Sequence, residues 1–288
     1  MNYIVVTNTF NRSVALVTRS LKSSLNQKIK PKRVILIDQN SPCLKLPDEV
    51  ILNPLFEIQK VDFQSVSAAR NSLSIPHGTE WIFFCDDDGY PIENYSDELN
   101  QIIKSNPKLE IIAGSIIRED NKDFYSLRHK KGGNLKYFRN TKILMGSNFV
   151  VKAKLFDSLG RFDENFGAGS YWGSSEETDF CWKAYFKLVE MEFFPELRVI
   201  HVPPFNESVK VGFKKAFNYG VGKGALVFKW LVMEKKLIVL YEFAEMLIIP
   251  FIQSVKGLIF LKPQLSITNF ATLIGRVYGL TKAIIIRK

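Results

Sequence analysis

The sequence predicts an α/β fold, a mostly parallel sheet flanked by helices, followed by a basic, apolar helical tail. Two observations predict it. Through the first two hundred residues, short apolar runs alternate with segments of helical periodicity, and such alternation favours right-handed crossovers and a sheet covered on both faces. The formal charge of +10 is also unevenly placed along the 288 residues. Residues 1–204 hold 26 Lys/Arg against 25 Asp/Glu, whereas residues 205–288 hold 13 against 4. A near-neutral body, 1–204, therefore precedes a basic region, 205–288, and a basic region seeks an anionic partner, nucleic acid or a membrane surface. At 46% hydrophobic residues the chain can bury a sizeable core.

Tyr3–Val6 reads as the first strand. Val14, Val17, Leu21 and Leu25 recur at three- and four-residue steps, the spacing of an amphipathic helix. Arg33–Asp38 (RVILID) is a second, continuously apolar strand, and Val50–Leu52 a short third. Ser65–Ile75 reads as a helix, Trp81–Cys85 as a strand, Asn94–Lys104 as a helix and Leu109–Ile117 as extended chain. Beyond Gly146 the pattern changes. Ile143–Val151 is apolar around a small-residue centre, and Gly160–Lys187 opens as a Gly-rich loop and closes as a helix. Met191–His201 is extended, and a lone His at its end is read as structural.

Ligands of such sheets bind beyond the carboxyl ends of the strands. Three polar clusters fall there: Thr7-Asn8-Thr9, Asp38, and Asp86-Asp87-Asp88 in WIFFCDDDGYP. Three adjacent anions raise one another's pKa unless cations or donors compensate. A solvated acidic turn is the plain reading; convergence with the other two clusters favours a divalent-metal site facing a phosphorylated ligand. No P-loop and no GxGxxG after the first strand is present, so a metal and side chains must hold any phosphates. Ser174 or Ser175 can cap the following helix, with Glu176 and Glu177 in its first turn, where acidic residues suit the dipole. Tyr171 and Trp172 are either buried filler or a stacking surface for a sugar ring.

Together these residues resemble the glycosyltransferase family 2 enzymes, inverting transferases of the GT-A (Rossmann-like) fold. TNTFNR (Thr7–Arg12) is similar to the T-Y-N-R element, with Phe10 for Tyr, and ILIDQNS (Ile35–Ser41) to the I-V-D-x-S segment. SAARN (Ser67–Asn71) matches A-R-N, and FFCDDD the strand end that bears DxD. GRFDENFGAG and the EETDF after it resemble the region of the catalytic base. The six fall in family order over roughly residues 1–204.

The resemblance implies transfer of a sugar from a nucleoside-diphosphate sugar to a hydroxyl of a glycan or polyprenyl-linked acceptor, in cell-surface polysaccharide synthesis. It implies Mg²⁺ or Mn²⁺ as cofactor, with Asp88 and Asp86 as metal ligands. Asp86 also faces the nucleotide, and Asp87 supports either role. Asp38 accepts from the base, Thr9 lines its pocket and Arg70 pairs with phosphate. Tyr171 and Trp172 meet the acceptor. The base motif usually reads Glu-Asp; here it is Glu176-Glu177, with Glu177 the first choice and Glu176 the second.

Two other readings compete. One is a nucleotide-sugar-binding protein without catalysis. The other is a phosphotransferase of the haloacid dehalogenase type, which expects Thr or Val where Tyr90 stands. Cys43, Cys85 and Cys181 form no disulfide or zinc pattern, and MNYIVVTNTFNR shows no signal peptide, so a reducing cytoplasm is expected. KKAFNYGVGKGALVFKWL (Lys214–Leu231) resembles the Y-G-x-G-x-G segment of some bacterial polysaccharide transferases. In the tail, Glu242, Glu245, Pro250, Gln253 and Lys256 interrupt each apolar run short of the about 20 residues that a bilayer span needs. Interfacial helices, peripheral on the inner face of the cell membrane, are the expectation. Its aromatics lie inside aliphatic runs, so nucleic acid is not an expected partner.

Overall fold

A computed structural model describes residues 1–203 and 208–286. The expected boundary at residues 204 and 205, and the last two residues, lie outside the described residues. The chain forms two compact units: Met1–Phe162 with Phe180–Pro203, and Asp163–Asp179 with the chain from residue 204 onward. Segment 163–179 thus clusters with the C-terminal helices.

The first unit is built on an eight-stranded sheet. Its strands are β1 (Tyr3–Thr9), β2 (Arg33–Asp38), β3 (Phe56–Lys60), β4 (Trp81–Cys85), β5 (Gly89–Pro91), β6 (Ile111–Arg118), β7 (Asn148–Lys152) and β8 (Met191–His201). They lie in the order β3-β2-β1-β4-β7-β6-β8-β5. The half built from β3, β2, β1 and β4 is parallel throughout. The other half is mixed: β7 runs antiparallel to β4 and β6, β8 parallel to β6, and β5 antiparallel to β8.

The helices of this unit are α1 (Val14–Leu25), α2 (Asp48–Ile51), α3 (Val66–Asn71), α4 (Tyr95–Ser105), α5 (Leu127–Lys131) and α6 (Ala153–Ser158). Helix α7 (Glu176–Phe186) begins in the second unit and ends in the first. Alternation along each strand sends side chains to two cores. Ile4, Val6, Ile35, Ile82 and Phe84 pack with Phe156, Phe162 and Phe180 on one face. Tyr3, Val5, Val34, Leu36 and Phe83 pack with Val17 and Leu21 of α1 and Tyr95 and Leu99 of α4 on the other. Burial on both faces is why β1, β2 and β4 read as unbroken apolar runs.

One strand lies elsewhere than expected. Asp48–Ile51, overlapping the expected third strand at Val50–Leu52, is a short helix, and the third strand is Phe56–Lys60. Pro47 sets an extended start, and Asp48 and Glu49 occupy the first helical turn, where acidic groups are favoured. The true strand, FEIQK, sits at the sheet edge with Glu57, Ile58 and Lys60 exposed. At the mixed edge, β6 and β8 lose register between Gly114 and Ser115. A Cβ on Gly114 would overlap Leu197 O and the Asn148 side chain, so glycine permits the close approach. Buried Asn148 then spans the irregularity, donating to Ser115 O and Leu197 O and accepting from Tyr95 Oη.

In the second unit, α8 (Val209–Phe228) runs into a π-helical turn, Lys229–Met233, and is followed by α9 (Leu240–Ile259) and α10 (Pro263–Ile286). Helices α8 and α10 meet backbone to backbone. Gly220 and Gly224 face Gly275 and Gly279 at four-residue spacing; a Cβ on Gly220 would sit 2.5 Å from Thr272 O, and one on Gly224 2.7 Å from Leu280 N. The buried Glu242 of α9 accepts from Lys223 of α8 at 2.6 Å.

The tail also departs from expectation. Leu237–Ile259, with mean hydropathy 1.6, is long and apolar enough to cross a membrane by length and composition. The helix continues through Pro250. Only 28% of its most apolar stretch is buried, unlike the core helix of a soluble protein. The contact between α8 and α10 has no room for larger side chains. Gly224→Val should destabilise the protein by about 1–3 kcal/mol, the usual range for overpacking, measured by denaturant unfolding of the full chain. An unchanged midpoint would mean the helices do not touch there.

Candidate metal and phosphate site

Strand register assembles this site. Val6 of β1 lies opposite Phe84 of β4, so three residues further Thr9 comes level with Asp87. Thr9 Oγ1 donates to Asp87 Oδ2 at 2.7 Å, and both residues are buried. On the other side of β4, Cys85 pairs with Asn148 of the antiparallel β7, which puts Ser147 beside Asp86. The Ser147 hydroxyl donates to Asp86 Oδ2. Beyond the aspartates the chain turns, with Gly89 N donating to Asp86 O at 3.2 Å, and re-enters the sheet as β5. There Gly89 pairs with His201, the last residue of β8. Val202 N donates to Asp88 O at 3.2 Å, fixing the two chains where the carboxylates lie.

The turn separates the three carboxylates. Asp86 and Asp88 converge on His201, whose Nε2 is 3.0 Å from Asp88 Oδ1 and 3.8 Å from Asp86 Oδ2. Ligand atoms of these three lie within 4.8 Å of one another. Two hard carboxylates and an imidazole nitrogen suit a divalent cation such as Mn²⁺. Asp87 points elsewhere, to Thr9 and to Arg12 Nε at 3.0 Å. Arg12 also reaches Asp88 Oδ2 through Nη2 at 3.1 Å.

Arg70 comes from α3, whose N-cap Ser65 accepts from Ala68 N at 3.1 Å. The guanidinium is 3% exposed, donates to Asp86 Oδ1 at 3.1 Å and Asn8 Oδ1 at 3.2 Å, and lies over the Phe84 and Phe162 rings.

These contacts set the electrostatics. Desolvation would raise the Asp86 carboxyl, but His201, Arg70 and Ser147 hold it well below the usual carboxylate range. Burial pushes Asp87 up to about 6, against the opposing pull of Arg12 and Thr9. His201 is disfavoured as a cation by burial, yet Asp86 and Asp88 push it up to about 10. The imidazole and two guanidiniums thus face the three carboxylates.

Other expected residues lie as follows. Asp38 is fully buried at the end of β2, and its oxygens accept from Asn40 N (2.9 Å), Asn40 Nδ2 (2.6 Å) and Leu44 N (2.8 Å). A nucleobase would have to share them. Glu176, Glu177, Tyr171 and Trp172 belong to the second unit. There Glu176 is buried and Glu177 partly exposed in the first turn of α7. Neither expected capping serine adopts the usual N-cap arrangement: Ser175 has φ 79°, and Ser174 Oγ donates to Tyr219 O at 3.1 Å. Tyr171 and Trp172 meet edge to face, with Lys282 Nζ 4.0 Å above the Tyr171 ring.

The sequence reading missed Arg12, Ser147 and His201. Arg12 closes the TNTFNR element; a polar ring ending an apolar strand was the one available signal for His201.

The geometry predicts a split among variants. Asp88→Asn and His201→Gln should weaken Mn²⁺ binding by more than about tenfold, since even outlying partners of metal ligands contribute that much. Asp87→Asn, outside the cluster, should leave it nearly intact. Calorimetric titration of the purified protein checks this, and equal losses in all three would refute the assignment.

Residues 4–160 match the sequence profile described as "Glycosyl transferase family 2". No curated protein matches the chain. Among solved structures, the chain is similar to the mannosyltransferase PcManGT from Pyrobaculum calidifontis, solved in complex with GDP-Man and Mn²⁺. The TM-score is 0.66 at 15% identity, over 98% of this chain and 87% of that one. It is also similar to TarS of S. aureus, with TM-score 0.57 and 15% identity over 81% of this chain. The chain spans 40% of the length of TarS. Both likenesses are of fold, and the sheet and its helices are those of the GT-A transferases. With a match over more than half its length and the motifs at the strand ends, the chain belongs to glycosyl transferase family 2.

Proposed function

We propose that this transferase moves a sugar from a nucleoside diphosphate to a hydroxyl of a glycan or polyprenyl-linked acceptor, with inversion, in cell-surface polysaccharide synthesis. The observation that carries the reading is the cluster of Asp86, Asp88 and His201 at the carboxyl edge of parallel strands, flanked by Arg12. When bound there, Mg²⁺ or Mn²⁺ supplies positive charge to the diphosphate as it leaves. Arg12, half-buried and hydrogen-bonded to carboxylates, is the guanidinium best able to turn to a phosphate oxygen. Buried Arg70 fixes Asp86, and Asp38 shapes the loop it caps for the base. The similar mannosyltransferase was solved with GDP-Man, which makes GDP-sugars the first donors to test.

Glu177 is the proposed general base. It takes the acceptor hydroxyl proton as the oxygen bonds to the anomeric carbon and the bond to the diphosphate oxygen breaks. Its partial exposure, against the burial of Glu176, supports this order of choice. Tyr171 and Trp172 present aromatic surface to the acceptor. Residues 1–204 form the catalytic domain in this reading, with 163–179 contributed to the second unit.

The C-terminal region, 205–288, associates with the cytoplasmic face of a membrane. Ile248, Ile249, Phe251 and Ile252 of α9 are exposed, as are Leu258–Leu261 at the turn into α10. The surplus of basic residues there adds ~1 kcal/mol each near anionic lipid.

Three outcomes are expected. Hydrolysis of UDP- and GDP-sugars by the purified protein should need Mg²⁺ or Mn²⁺ and stop in EDTA; full activity in EDTA would sink the metal-dependent reading. Glu177→Gln should lower kcat by ~10²–10⁴-fold with donor binding retained, the usual cost of losing a general base. If Glu176→Gln is dead and Glu177→Gln active, the base is Glu176. In flotation assays the full chain should rise with phosphatidylglycerol vesicles, less so in high salt. Failure to float at low salt removes the membrane claim alone.

A further inference from the structure

The second unit holds a partly buried ion cluster, outside the metal and phosphate site. Lys229 Nζ stands 2.8 Å from Asp163 Oδ2 and 2.7 Å from Asp179 Oδ1, and Trp230 Nε1 donates to the same Asp179 oxygen at 2.8 Å. Asp163 and Asp179 are the first and last residues of the segment bearing Tyr171, Trp172, Glu176 and Glu177. One ammonium therefore ties both ends of that segment to the end of α8. The Asp179 side chain is fully buried, and removing its cation would leave a charge with much of its compensation gone.

The local helix geometry is unusual. Consecutive residues of an α-helix point about 100° apart, yet Lys229 and Trp230 converge on one oxygen. They open the π-helical turn Lys229–Met233, in which Glu234 N donates to Lys229 O at 2.9 Å. The wider turn is a recurring feature of functional helices. Lys229 also lies 5.3 Å from the centroid of the Phe166 ring, inside the same segment. Further along, α8 leaves no room at Gly222. A Cβ there would meet Ser174 O at 2.7 Å and Trp172 O at 2.9 Å, with Ser174 Oγ closer still.

We infer that Lys229 is a positioning residue for the general base: by closing the segment Asp163–Asp179 it fixes the first turn of α7, on which Glu177 stands. Gly222 contributes from the other side, letting α8 lie against the backbone just before that turn. The inference rests on the proposed role of Glu177. Asp163 and Lys229 each favour the other's charged form once burial is offset, so the tie stays ionised. Releasing Asp179 lets the turn rotate and moves Glu177, and a misplacement near 1 Å costs about 100-fold in rate.

The test uses the full chain and a UDP- or GDP-sugar that the wild type turns over. Lys229→Met should lower kcat at least about tenfold while donor KM and Mn²⁺ affinity stay unchanged. Lys229→Arg, which keeps the charge and the donors, should recover most of kcat. A merely structural role would not divide kcat from KM in this way. Wild-type kcat in Lys229→Met overturns the inference, as does a Lys229→Arg enzyme no better than Lys229→Met. Should Lys229→Met fail to fold, Gly222→Ala decides on the same comparison of kcat with KM, wild-type kcat being the overturning result. Glu177→Gln measured in parallel separates the two ideas. If it keeps wild-type kcat, the base assignment has failed whatever Lys229 does.

Discussion

Three carboxylates in sequence cannot share a turn unless positive charge meets them from outside it. Asp86, Asp87 and Asp88 are met by Arg70, Arg12 and His201, drawn from a helix, a loop and the end of a distant strand. Each cation is delivered by a different part of the first unit. The compensation therefore forms only when the whole sheet has closed, and the fold and the site stabilise one another. The arrangement also sorts the aspartates. Two are left facing an imidazole in a group able to take a cation, and the third is locked by a hydroxyl and a guanidinium.

Pairing register does the sorting. A slip of one residue between β1 and β4 would carry Thr9 away from Asp87 and turn its neighbours to the opposite face. A slip between β5 and β8 would withdraw His201. Both cores oppose such slips, because the residues flanking the site, Val6, Phe84, Val199 and Ile200, are fixed by burial or pairing. The price is paid at Gly114, where β6 and β8 shift register and only a glycine fits.

What was legible in the sequence follows from range. Strands β1, β2 and β4 announced themselves because burial on both faces leaves unbroken apolar runs, and the aspartates were visible at the end of one of them. The third strand was misplaced because FEIQK, at an edge, has neither an apolar run nor strong β-formers throughout. The cluster was half legible. Its carboxylates are adjacent in the chain, but His201 lies more than a hundred residues away and joins them through a three-residue strand, Gly89–Pro91, too short to leave a periodic signal. Ser147 was hidden for the same reason, its place being set by antiparallel pairing. In the tail, charges and a proline do not interrupt the helix as counted from sequence: Glu242 is neutralised within the unit by Lys223, and the helix runs on through Pro250.

The polypeptide passes between its two compact units three times, after Phe162, after Asp179 and near residue 204. That topology limits how the enzyme can be recombined. A chimera joined once, near residue 204, would take its Lys229 and Gly222 from one parent and its Asp163, Ser174 and Asp179 from the other. Parents that solved the ion tie or the glycine contact differently would be mismatched at a buried position. Exchange of the C-terminal helices between relatives should then require segment 163–179 to travel with them as one inheritable module, despite the strand and helix that separate them in sequence.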